Sequence, residues 1–112
     1  MHKHESYQEV LDAIEENSHG IGVLLDDDGR YCIVGYLLHR LGEKDAMLQN
    51  RSMFTLCQCD KITRSYPFIE SRRLSLLIDV NDSNNTLTGR RAALRALVRS
   101  WELVDQIAGN GY

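Results

Sequence analysis

The chain predicts an α+β fold: a mostly helical single domain over residues 1–112, with one small β-hairpin between its first and second helices. Apolar residues recur at helical spacing in several stretches, most clearly across 93–104. Two short runs with β-branched or aromatic content flank Asp28-Gly29, a dipeptide suited to the positive φ angles of a tight hairpin turn. A hydrophobic share of 43% with 26% charged residues lies far from the composition of a disordered chain, and 112 residues suit one core.

The first helix is expected over residues 7–17. Ser6 and Glu9 form an S-x-x-E capping box, and Tyr7, Val10, Leu11 and Ile14 follow at helical spacing. NSHG stops it, with Gly20 expected in the left-handed conformation that commonly closes a helix. Residues 1–5 and 108–112 are expected to be flexible ends. The hairpin then occupies IGVLLDDDGRYCIV. From Ile33 the period lengthens, since Ile33, Val34, Leu37, Leu38 and Leu41 share one helical face that ends at Gly42.

EKDAMLQNRSMFTLCQC lacks a sustained period and reads as a short helix followed by irregular structure. The sole proline, Pro67, pushes Tyr66 towards an extended backbone and can itself open a helix. ESRRLSLLIDVND fits two periods: Leu74, Leu77 and Ile78 favour helix, whereas Leu74, Leu76, Ile78 and Val80 favour strand. The adjacent Leu77 and Ile78 spoil strict alternation and the run exceeds a typical strand, so helix is expected. DVNDSNN reads as a polar turn cluster, with Asn81, Asp82, Ser83, Asn84 and Asn85 as turn and cap formers. Thr86 or Thr88 then caps a last helix striped by Ala93, Leu94, Leu97, Val98, Trp101 and Val104.

A formal charge of −3 argues against broad capture of a phosphate backbone, so a nucleic-acid role needs one local basic face. No apolar run reaches the length of a membrane helix, and MHKHESYQEV lacks the apolar segment of a signal peptide. A cytoplasmic setting without membrane association is expected. Three cysteines, an odd number without framework spacing, predict reduced thiols and no disulfide.

The chemistry-bearing residues each have a structural alternative. Cys32 sits at a helix start, where unpaired amides favour a thiolate and His19 or His39 are candidate bases. Its neighbours Ile33 and Val34 are apolar, however, and a buried packing role is favoured. His39 near a helix C-terminus is placed well for the dipole alone. Cys57 and Cys59, with His2 and His4, offer four soft-metal ligands, but C-x-C is not the usual knuckle and no metal is expected. Asp26, Asp27 and Asp28 fail the calcium-loop pattern, because aligning Gly29 with its glycine puts Leu24 and Gly35 at ligand positions. They read as a solvated turn and a negatively charged contact patch. Thr88 and Gly89 in TLTGRR lack the spacing of a nucleotide-binding loop, so no cofactor is expected.

Arg91, Arg95 and Arg99 recur every four residues and predict a basic edge on the last helix, which Arg72 and Arg73 extend if the two final helices pack side by side. Such an edge suits an acidic protein surface or phosphates. The leading expectation is a small non-catalytic intracellular protein that binds another macromolecule, most simply another protein, through this edge or through the Asp26, Asp27, Asp28 turn. A nucleic-acid-binding accessory protein using the same arginines is the alternative, and a thiol enzyme built on Cys32 ranks third.

DDDGRYCIVGYLL, then LSLLIDVND, then T-x-x-R ahead of an amphipathic helix together resemble an uncharacterised family of small bacterial and phage proteins. That family carries a D-G-R-x-C-x-x-G-A-L block and a downstream N-D before its final helix, and Tyr36 stands here where the pattern prefers alanine. That family has no established activity, so the resemblance implies an origin near mobile elements; a regulatory or inhibitory role belongs to the leading expectation of a binding protein. The resemblance assigns no activity to Cys32, Gly35, Asn81 or Asp82.

Overall fold

The computed structural model describes residues 3–17 and 19–109. Its elements are α1 (Lys3–Glu16), α2 (Ile33–Arg40), a 3-10 turn (Asp45–Met47), α3 (Leu56–Ser65), α4 (Ser71–Ser83) and α5 (Leu87–Ala108). No strand forms among the described residues, so the fold is all-helical and the α+β expectation is overturned.

The turn itself stands where expected, with Gly29 at φ 81°. One carboxylate oxygen of Asp26 accepts from the amides of Asp28 (3.0 Å) and Arg30 (2.8 Å). Its flanks never lengthen into strands. Leu25 bridges Tyr31 on one side and Gln49 on the other, and Cys32 already caps α2, leaving no room for a second strand.

Helix α1 starts at Lys3, which places Ser6 inside the helix rather than at its cap. At its other end His19, not Gly20, adopts the left-handed backbone, with φ 51°. Gly20 is required for a different reason: a Cβ there would stand 2.8 Å from the Arg30 carbonyl oxygen. Of the ends expected to be flexible, residues 1, 2 and 110–112 lie outside the described residues. Ala108 completes α5, and Gly109 closes it with φ 71°.

Helix α3 was not anticipated, although its capping box is written in the sequence. The Thr55 hydroxyl accepts from the Gln58 amide (3.1 Å), and the Gln58 side chain accepts from the Thr55 amide (2.8 Å). Pro67 follows this helix and bars its continuation instead of opening the next, which starts at Ser71. The helical expectation for α4 holds. It runs on through Ser83, so much of the predicted polar turn is its last turn, and Asn81 faces inward with Leu74 and Leu77.

Helix α5 runs antiparallel to α1 and α4, as the pairs Tyr7–Asp105, Asn17–Arg91, Arg73–Asp105 and Asn84–Arg90 show. On the far side α2 packs against α1 and α4, and α3 packs against α2 and α4. The core between them includes Ile14, Leu37, Leu38, Leu74, Leu77, Leu94 and Val98. Of the predicted α5 stripe, Leu94, Val98 and Trp101 are buried, and Thr86 rather than Thr88 is the cap. Val104 is 54% exposed, because a 3.6-residue period carries the inward line from Trp101 to Asp105.

Close approach of α2 to residue 24 depends on Gly35, where a Cβ would fall 1.9 Å from the Leu24 carbonyl oxygen. Gly35→Ala is expected to destabilise the protein by about 3 kcal/mol, read as a lowered urea midpoint, because the obstructing atom is backbone and must move.

Candidate interaction surface

Two buried polar clasps hold α5 against the bundle and decide which charged side chains remain outside. At one end Asp105, 4% exposed, accepts both guanidinium nitrogens of Arg73 (2.9 and 3.0 Å) and the Tyr7 hydroxyl. Arg73 also donates to the Phe68 carbonyl (2.9 Å) and lies 5.1 Å from the centre of the Trp101 ring. Burial, followed by the Asp105 carboxylate, raises the Tyr7 phenol well above its ordinary range. Arg73 therefore serves the interior and does not extend an outward basic edge.

The other clasp gathers Asn17, His19 and Asn81. The Asn81 carbonyl oxygen accepts from the Ile33 amide (3.1 Å), while its amide donates to Gly20 O (2.9 Å) and the Asp82 carboxylate (3.1 Å). His19 Nε2 lies 2.8 Å from the Ile14 carbonyl and so carries the proton. Its Nδ1 keeps the lone pair that accepts from the Asn17 amide at 3.1 Å. The ring is fully buried, and that burial lowers its pKa, with the positive charges of Arg91 and Arg90 adding to the effect.

Arg90 and Arg91 close the same end. Arg90 donates to Asn84 O (2.9 Å) at the end of α4, and Arg91 donates to Asn17 O (3.0 Å) at the end of α1. Each places a cation where a helix presents unpaired carbonyls. Arg95 pairs with Glu15 of α1. Of the predicted basic edge, only Arg99 and Arg72 stay exposed without a partner among the described residues.

The acidic turn is partly spent in the same way. Asp26 is held by Arg30, Asp28 pairs with Arg30 at 3.1 Å, and Asp27 accepts from the Asn50 side chain at 3.1 Å, although Asp27 and Asp28 remain exposed.

Cys32 is 3% exposed, and burial pushes its thiol up to about 11. Its sulfur accepts from the Gly35 amide (3.3 Å), so the side chain acts as the N-cap of α2. The crevice beside it, lined by Gly22, Leu24, Ser52 and Asp82 among others, has about 10 Å³ of free space, room for no more than a water. His39 is exposed at the end of α2 and stacks near Tyr31 at 4.8 Å between ring centres. Cys57 is exposed and Cys59 buried, since residues two apart on a helix point in different directions. His2 and the side chain of His4 lie outside the described residues.

What remains open is the outer face of α5. At 100° per residue, Ala92, Ala96, Leu103 and Ile107 fall within about 60° of arc, opposite the buried line of Leu94, Val98 and Asp105. Leu103 is 58% exposed and Ile107 78%, with Val104 beside them. Exposed apolar side chains gathered this way mark contact surfaces more often than scattered ones do. Periodicity showed the inward stripe; the apolar residues left on the outward arc were the signal for this face.

The thiols offer a direct check. An alkylating reagent at neutral pH is expected to modify Cys57 promptly and to leave Cys32 unmodified until the protein is unfolded, as read by mass spectrometry of peptides. The buried histidine predicts a pH dependence. Because the folded pKa lies below the unfolded one, the unfolded chain binds the extra proton. Stability is complete above about pH 6.5 and is lost as pH falls towards the folded value. His19→Gln should flatten the fall in urea midpoint between about pH 7 and 5.5 relative to the parent.

Compared with family models, curated proteins and solved structures, the chain matches none.

Proposed function

We propose that this chain is a small non-catalytic protein that acts by binding another protein, with the outer face of α5 as its contact surface. The observation that carries this reading is the exposure of Leu103, Val104 and Ile107 on a helix whose opposite face is fully engaged in the core. Arg99 stands on the same face and Arg72 is exposed on α4, so two of the arginines expected to meet a partner keep that role in the proposal. The phosphate-binding alternative loses support, because Arg73, Arg91 and Arg95 are occupied within the fold. The thiol-enzyme reading loses support from the dry, capping position of Cys32. Three free thiols fit a reducing compartment, and no described helix is long and apolar enough to cross a membrane.

The double variant Leu103→Glu, Ile107→Glu tests the surface, with Asp27→Lys, Asp28→Lys as its counterpart on the acidic turn. The α5 variant is expected to keep its circular dichroism spectrum and its urea midpoint within about 1 kcal/mol of the parent. It should lose at least about tenfold in capture of protein partners. Undiminished capture by the α5 variant, with loss in the turn variant, would move the contact to the turn.

A further inference from the structure

We propose that the buried cluster around His19 is an acid-operated latch: a second proton on the His19 ring draws Asn81 away from the start of α2 and opens the crevice beside Cys32, while the helices stay folded. The latch is independent of the protein-binding reading of α5.

In its neutral form the ring donates from Nε2 to the Ile14 carbonyl (2.8 Å). Its Nδ1 accepts from the Asn17 side-chain amide (3.1 Å), which also donates to the Tyr31 carbonyl (2.9 Å). A proton added at Nδ1 removes that lone pair and sets donor against donor at the Asn17 contact. An acceptor stands within reach, the Asn81 side-chain oxygen at 3.2 Å, but it already receives the Ile33 amide at the start of α2 (3.1 Å). A charged ring therefore competes with α2 for that oxygen and displaces the Asn17 amide.

Asn81 carries the disturbance on to Cys32. Its amide group donates to Gly20 O and to the Asp82 carboxylate, and the same carboxylate accepts from the Gly22 amide (3.2 Å). Gly22 and Asp82 are two walls of the crevice that Cys32 lines, and Ile33 is the next residue after the thiol. A shift of Asn81 towards the ring thus loosens both the crevice and the first turn of α2.

The surroundings of the ring favour opening once it is charged. Burial disfavours the charged form, and the positive charges of Arg91 and Arg90 on α5 add to the effect. The Nε atoms of both arginines are buried without a hydrogen-bond partner among the described residues. From α1 the ring meets the Ile14 carbonyl and the Asn17 amide, and from α4 Asp82 bonds to the Asn81 amide rather than to the ring. Cys32, the titratable group at the start of α2, stays a thiol throughout, with burial pushing it up to about 11. A ring that is harder to protonate when enclosed than when open shifts the balance towards the open form. The shift is up to about tenfold per pH unit below the ordinary histidine value of about 6.5.

The protein carries an internal control for this opening. Cys59 is buried on α3 beside Ser71, at the far end of α4 from Asn81, so it reports unfolding of the whole. In a Cys57→Ser background, labelling of the two thiols by dipyridyl disulfide is followed by peptide mass spectrometry. Each rate is divided by that of the same thiol in the urea-unfolded chain at the same pH. Between about pH 7.5 and 5.5 the Cys32 rate should gain about tenfold and the Cys59 rate less than about twofold. His19→Gln, whose side chain takes up no proton, should hold Cys32 labelling level over that range.

Three results would each overturn the proposal: Cys32 labelling that stays level in the parent, Cys32 and Cys59 gaining together, or a gain that persists in folded His19→Gln. NMR of the His19 ring in the parent adds a check that needs no variant. Titration in the folded protein well below about pH 6.5 supports the latch, and titration at or above that value removes its driving force and overturns it.

Discussion

The side-chain amide of Asn81 is the interaction on which the rest of the structure depends. It is fully buried, it bonds to the backbone at Gly20 and Ile33, and His19 packs against it at 3.2 Å. Three segments distant in sequence thus meet on one residue: the exit of α1, the entry of α2 and the last turn of α4. A buried amide is tolerable only when its donors and acceptor are satisfied, and here each finds a partner. The Ile14 carbonyl fixes the histidine tautomer by accepting the proton on Nε2, which leaves Nδ1 to accept from the Asn17 amide.

The position of this cluster explains why the arginines of α5 are not where sequence spacing alone suggests. Helices α1 and α4 both end beside the first turns of α5, and each end leaves carbonyl groups without intrahelical partners. Arg90 and Arg91 answer those two ends, and Arg95 follows along α1 to Glu15. At the opposite end Arg73 and Asp105 repeat the strategy with a full ion pair. Most of the basic side chains along α5 are consequently part of the fold. The outward arc is left to the small and apolar Ala92, Ala96, Leu103 and Ile107, with Arg99 at its edge.

Much of this was legible beforehand, and the misreadings have identifiable causes. Helical periodicity located α2, α4 and α5, since apolar faces of eight or more residues leave a clear imprint. Asp28-Gly29 was read correctly as a turn. The inference from turn to hairpin failed because Cys32 is a cap, a role that sulfur seldom fills and that propensity rules do not anticipate. Helix α3 was missed because its inward positions include Gln58 and Cys59 rather than a run of aliphatics. The basic edge was over-read because spacing places residues on a helix flank, whereas only tertiary neighbours decide whether a flank is covered.

The clasp between Tyr7 and Asp105 joins positions 98 residues apart. During synthesis the first helix emerges long before α5 exists, and although α2 can already pack against it, the side of α1 that α5 covers stays open until most of α5 has followed. Chain closure over so long a loop is entropically unfavourable. A stalled or truncated chain lacking the final turns of α5 therefore presents the uncovered side of α1 to chaperones and proteases.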